Sequence, residues 1–136
     1  MIIGKYPGLR LRRSRKVPWS RRLIQENTLS PNDFILPIFL IEGSNKRQEI
    51  SSMPGVYRYT INRLSQIVDK AIKLGIPMIA LFPKTQNSKK DELGTESLNE
   101  NNLVCKAIQE VKKRYKNKIG IMWDVALDPY TSHGHD

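Results

Sequence analysis

The run FILPIFLI, Phe34 to Ile41, is nearly continuous in apolar residues and has the length of a strand. Continuous apolarity implies burial on both faces, the mark of a strand inside a parallel sheet. Pro37 argues mildly against a central position, because it has no N–H to give a neighbour. The turn formers Thr28-Leu29-Ser30-Pro31-Asn32-Asp33 precede the run, and Glu42-Gly43-Ser44-Asn45 ends it.

Reading onward, Lys46 to Thr60 is expected to be a loop with a turn at Pro54-Gly55. Helical spacing then sets in. Ile61, Leu64, Val68, Ala71 and Ile72 form one apolar stripe, with Thr60 as candidate N-cap and Gly75 as candidate C′ residue. IPMIALF, Ile76 to Phe82, is a second apolar strand. Pro83 to Glu96 is polar and mixed in charge, as an excursion loop would be; Lys84, Lys89 and Lys90 within it read as solvated charge, since a reactive lysine needs desolvation. Leu103, Val104, Ala107, Ile108, Val111 and Tyr115 share a second helical face, capped by Asn99 or Asn101, with Lys112, Lys113, Arg114 and Lys116 where the dipole favours cations. Ile119 to Leu127 is the third predicted strand. Strands and helices alternate, so the fold class is α/β with parallel strands.

Working back, Met1 to Pro18 has two prolines, two glycines and no apolar period, and reads as an extended arm. Trp19 to Asn27 is a predicted short helix with Leu23 and Ile24 on its buried side. The net charge of +10 belongs to this region: eight of the 23 basic residues, Lys5 to Arg22, precede any acid, leaving 15 basic against 13 acidic residues. Such an arm can meet phosphates or an acidic protein surface, and composition does not separate the two. The single Cys105 agrees with a reducing compartment and reads as a helix-packing thiol. No apolar run approaches the ~18 residues of a membrane span, and the expectation is a soluble, cytoplasmic protein.

The chemistry collects at IGIMWDVALDPYTSHGHD, Ile119 to Asp136, which holds three aspartates and both histidines. Alternation along a strand would point Asp124, Ala126 and Asp128 to one face until Pro129. Sites in β/α folds lie at the carboxyl ends of strands, which is where this cluster falls. Asp124, Asp128, Asp136, His133 and His135 offer oxygen and nitrogen ligands without zinc-finger spacing, and a hard ion such as Mg²⁺ suits the carboxylates. As acid-base groups, Asp124 and Asp128 would orient a base or stabilise a cation. A turn at Asp128-Pro129 and a hydrogen-bonding role for Asp124 are the structural alternatives. A third strand with no following helix leaves apolar surface uncovered, so a larger domain or a second chain is expected to complete the sheet.

WDVALDPYTSHGHD resembles the signature of the porphobilinogen synthase family, also called 5-aminolevulinate dehydratases. The resemblance extends through RLRRS at Arg10 to Ser14, TLSPNDFILPIFLIEG at Thr28 to Gly43, SMPGVYR at Ser52 to Arg58 and LGIPMIALFP at Leu74 to Pro83. It implies a TIM (β/α)8 barrel, of which residues 1–27 are the arm and short helix and residues 28–136 about the first three β/α units. It implies condensation of two 5-aminolevulinate molecules to porphobilinogen through lysine Schiff bases, in dimers to octamers assembled by the arm, with Arg10, Arg12 and Arg13 at the oligomer interface. Zinc-dependent members carry three cysteines where this sequence has Ala126, Asp128 and Asp136. Thiolates select zinc and carboxylates suit Mg²⁺, so the resemblance implies a magnesium-type or zinc-independent member with no tight catalytic Zn²⁺, Asp128 and Asp136 as metal candidates, and Asp124 as a supporting catalytic residue. His133 and His135 would organise the loop. The Schiff-base lysines, the substrate-carboxylate groups and the allosteric Mg²⁺ ligand are expected beyond Asp136, so the 136-residue chain is expected to be inactive alone. The competing readings are a nucleic-acid-binding protein whose basic arm grips phosphates and a truncated chain with a structural role. The barrel reading instead expects no nucleic acid and no membrane partner.

Overall fold

The computed structural model describes residues 4–135. Strand β1 (Ile35–Ile41) is followed by a hairpin of β2 (Arg47–Glu49) and β3 (Tyr57–Tyr59). Helix α2 (Leu64–Lys73), strand β4 (Met78–Lys84), helix α3 (Leu103–Tyr115) and strand β5 (Gly120–Trp123) complete the order, with α1 (Pro18–Leu23) in the arm. The sheet runs β2-β3-β1-β4-β5. β3, β4 and β5 join it in parallel ladders, and β2 alone is antiparallel.

The hairpin corrects the expectation of a loop from Lys46 to Thr60. Three-residue strands carry too little periodicity to be read locally; β3 exists because Arg58 and Tyr59 pair with Phe39 and Leu40. The turn at Pro54-Gly55 is present, closed by Ile50 N–H to Val56 O at 2.9 Å. β1 is internal despite Pro37. The β3 ladder reaches only Phe39 and Leu40, so at Pro37 the ladders give β1 a neighbour on one side alone.

The two long helices cover one sheet face. Ile38 and Leu40 of β1 and Ile79 and Leu81 of β4 pack with Leu64, Val68 and Ala71 of α2 and Val104, Ala107, Val111 and Tyr115 of α3. Full burial of each of the Ile, Leu and Val side chains is worth roughly 1.5–3 kcal/mol. On the other face Ala80 is buried but Ile35 and Met122 are exposed, so the double burial expected from continuous apolarity is incomplete among the described residues. Gly75 occupies the predicted C′ position at φ +75, a left-handed conformation that a side chain would strain.

Several local expectations are corrected. Thr60 is fully buried and caps nothing with its side chain; its hydroxyl accepts from Lys46 N–H at 3.1 Å, fastening β2 to the start of the helical segment. Helix α3 is capped by Asn102, whose Oδ1 accepts from Cys105 N–H at 2.9 Å, rather than by Asn99 or Asn101. The short helix ends at Leu23, and Leu23 and Ile24 are exposed; its buried residue is Ser20. β5 stops at Trp123, four residues before the predicted end at Leu127.

Candidate functional site at the strand carboxyl ends

The early end of β5 rearranges the acidic cluster. Leu127 to Tyr130 is a turn, closed by Tyr130 N–H to Leu127 O at 2.7 Å and Thr131 N–H to the same carbonyl at 3.1 Å. Asp124, Ala126 and Asp128 therefore do not share one strand face. Asp124 is exposed just past β5, and Asp128 is exposed within the turn. Asp136 lies outside the described residues.

Both histidines belong to the loop's own bonding. His135 N–H donates to His133 Nδ1 at 3.2 Å, and His133 Nε2 lies 3.2 Å from the Glu92 carbonyl. With Nδ1 accepting, Nε2 is the ring nitrogen that can donate to the Glu92 carbonyl. The rings stack with centroids 6.0 Å apart. Among the described residues no three His, Cys, Asp or Glu side chains gather as a metal site, and Ala126 contributes only a methyl group. The described donors alone do not complete a metal site.

A cleft of about 300 Å³ opens beside this loop, lined by Phe39, Arg58, Phe82, Lys84, Lys90 and Pro129 among others. Phe39 and Phe82 are register partners on β1 and β4, with ring centroids 5.8 Å apart. Larger concavities exist along the arm, but the strand-end cleft is where parallel β/α architecture places ligands. Its three cations give the mouth a positive potential that favours an anionic ligand.

The excursion loop contributes two fixtures absent from the sequence reading. In the first, Lys89 Nζ meets Glu42 Oε1 at 2.6 Å and Glu96 Oε1 at 3.5 Å, while Gln86 Nε2 donates to Glu42 Oε2 at 2.6 Å. The Glu42 hydrogen bond, with the two glutamate charges, raises the Lys89 pKa above its ordinary value. Lys89 is thus an ion-paired ammonium, not a poised nucleophile. In the second, Asp91 accepts at Oδ1 from Leu93 and Thr95 N–H, each at 3.0 Å, and at Oδ2 from the Thr95 hydroxyl. The Thr95 hydroxyl, followed by its amide, holds the Asp91 carboxyl below the usual aspartate range. The sequence signal was an Asp two and four residues before amide donors, with Gly94 between them.

Tyr130 and Thr131 are buried beneath this loop. Burial pushes the Tyr130 phenol up to about 12. In the arm, Arg10, Arg12 and Arg13 are exposed beside Leu11, Trp19 and Leu23, which are 92%, 64% and 78% exposed. No helix among the described residues is long and apolar enough to cross a membrane.

Residues 8–136 match the family described as delta-aminolevulinic acid dehydratase. The chain is 52% identical over 129 residues to the delta-aminolevulinic acid dehydratase of Bradyrhizobium diazoefficiens, covering 95% of this chain and 36% of that protein. It is 39% identical to the Chlamydia pneumoniae protein of the same name, covering 93% of this chain and 38% of the relative. Among solved structures it superposes with a TM-score of 0.83 on the Toxoplasma gondii enzyme in complex with its reaction product porphobilinogen, at 38% identity, over 94% of this chain and 36% of that one. The chain thus spans little more than a third of the length of these relatives.

Proposed function

The chain belongs to the delta-aminolevulinic acid dehydratase family, and from that premise we propose that it supplies one wall of an enzyme that condenses two 5-aminolevulinate molecules to porphobilinogen with loss of water. Residues 1–27 serve as the assembly arm, and residues 28–136 as the first β/α units of a TIM barrel. The observation that carries the proposal is the coincidence of the family match over residues 8–136 with a cleft at the carboxyl ends of β1 and β4. In this reading Arg58, Lys84 and Lys90 draw the carboxylate-bearing substrate toward the mouth. Asp124 stabilises positive charge that develops on the substrate nitrogen.

The Schiff-base lysines come from parts of the barrel outside these residues, so the 136-residue chain alone forms no product. Lys84, Lys89 and Lys90 take no part as nucleophiles. Of the finer assignments, carboxylates in place of cysteines favour dependence on Mg²⁺ over a tight catalytic Zn²⁺. The enzyme works in the cytoplasm, a reading supported by the free Cys105 thiol.

The arm joins neighbouring subunits, from dimer to octamer, through Arg10, Arg12 and Arg13. Exposed Leu11, Trp19 and Leu23 interleave with those cations, which suits a protein surface better than a phosphate backbone.

The test joins residues 1–136 to the remaining sequence of the Bradyrhizobium diazoefficiens relative and assays porphobilinogen formation from 5-aminolevulinate. Activity that falls on Asp124→Ala is expected. A folded, fully assembled chimera without activity would overturn the proposal, as would product formed by the 136-residue chain alone.

A further inference from the structure

The acidic, His-bearing loop after β5 has no regular structure of its own beyond its turn, yet it is seated against the loop after β4 along a defined line. Asp91 is the centre of that line. Its backbone forms a parallel bridge with Thr131: Asp91 N–H points to Tyr130 O at 3.4 Å, and Asp91 O accepts from Ser132 N–H at 2.8 Å. Its side chain meanwhile gathers the Leu93 and Thr95 amides and the Thr95 hydroxyl. One residue therefore shapes its own loop with its carboxylate and holds the other with its backbone.

The contacts around this centre are close. Gly94 sits at φ +64, and a Cβ placed there would lie 3.4 Å from Thr131 Cγ2, 3.6 Å from Tyr130 Cβ and 3.8 Å from Leu127 Cδ2. That left-handed position follows from the Asp91 turn, because the bonds to the amides of residues 93 and 95 bend the chain between them. His133 adds a further link to the Glu92 carbonyl, and Thr131 Oγ1 donates to His135 O at 2.8 Å.

We infer that Asp91 is a positioning residue: by fixing the Asp91–Thr95 turn, it sets the place of the loop that carries Asp128 and His133 and whose Pro129 lines the cleft. The carboxylate of Asp91 bonds within its own loop, to Leu93 and Thr95, and the residue acts on the other loop through Tyr130, Thr131 and Ser132. The inference rests on the proposed enzyme only for its consequence in catalysis; the latch itself is a property of the two loops. A loop displaced by a fraction of an ångström is enough to slow a reaction whose groups must be aligned.

The experiment uses Asp91→Ala, Asp91→Asn and Thr95→Val, made both in the 136-residue chain and in the chimeric enzyme. Hydrogen exchange is followed at the Ser132 amide, with the Lys106 amide of α3 as an internal control for global folding. In Asp91→Ala the Ser132 amide should exchange about tenfold faster or more while Lys106 is unchanged, as local opening without unfolding requires. Asp91→Asn keeps an acceptor for both amides and should restore most of the protection; Thr95→Val removes one bond and should fall between.

In the chimera, kcat per folded subunit should drop about tenfold to a hundredfold in Asp91→Ala and recover in Asp91→Asn, a rescue that a general loss of fold would not produce. Unchanged Ser132 exchange in all three variants, or unaltered kcat in an active chimera, would overturn the inference. If the unsubstituted chimera makes no porphobilinogen, the proposed function fails, and the Ser132 result still decides the latch. Should Asp91→Ala fail to fold, Thr95→Val and Asp91→Asn decide it by the same readout.

Discussion

The Tyr115 hydroxyl donates to Asp69 Oδ1 across 2.7 Å, tying the last turn of α3 to the middle of α2. Burial first, and the Asp69 carboxylate second, push the phenol pKa up to about 12 from 10.0. The protonated phenol is thus favoured in the folded protein. The stability it contributes is complete below pH 10 and is lost as pH rises through about 12. Tyr115→Phe should cost about 0.5–1.5 kcal/mol at neutral pH and show a shallower loss of stability between neutral and strongly alkaline pH. Tyr130 shifts the same way, so the double variant with Tyr130→Phe should flatten the alkaline limb further. Denaturant titrations at several pH values check this, and an alkaline limb identical in all three proteins would refute it.

Asn102 caps α3 through its Oδ1, while its Nδ2 is buried with no hydrogen-bond partner among the described residues. Only the acceptor half of the amide contributes. Asn102→Ala should destabilise by about 1 kcal/mol, the ordinary value of an N-cap, whereas Leu81→Ala in the core should cost roughly 2–5 kcal/mol. Equal losses for the two in equilibrium unfolding would contradict this account.

Lys89 is held as an ammonium between Glu42 and Glu96. Borohydride trapping of the 136-residue chain with 5-aminolevulinate should leave Lys84, Lys89 and Lys90 unmodified by peptide mass spectrometry. An adduct on any of them would assign a nucleophile to this chain. Glu42→Gln breaks only a partly exposed pair and should change stability by less than about 1 kcal/mol.

For the metal, a zinc-specific chelator should leave the activity of the chimeric enzyme intact, and added Mg²⁺ should sustain or raise it, because Ala126, Asp128 and Asp136 rather than thiolates occupy the signature positions. Complete inhibition by that chelator would overturn the assignment.

Deleting residues 1–15 from the chimera removes Arg10, Arg12, Arg13 and Leu11 together. Sedimentation should then show a smaller assembly. An unchanged particle would argue that the arm is not the joining element.

The elements that could be read from the sequence are those whose signal is local. FILPIFLI, the Leu64–Val68–Ala71 stripe and Gly75 each declare themselves within one window. The hairpin strands do not: Arg58 is strand because Phe39 lies beside it. The site was legible as a region but not as a geometry. Alternation placed Asp124 and Asp128 together, and the Leu127–Tyr130 turn separates them. Asp91 was hidden for a different reason. A polar, charged stretch looks the same whether its side chains bind water or their own backbone.

On the flank β1-β4-β5, order in space and order in sequence coincide. A chain leaving the ribosome N-terminus first can lay each of these strands against one already in place, so β4 finds β1 waiting and β5 finds β4. Each pairing still spans about forty residues of chain, Ile35 to Met78 and Met78 to Gly120, so these parallel ladders are the non-local kind that forms slowly. A further hazard lies at the growing margin. At every stage of synthesis one strand edge and the bare face below it stand uncovered, open to pairing with another chain until the next strand arrives.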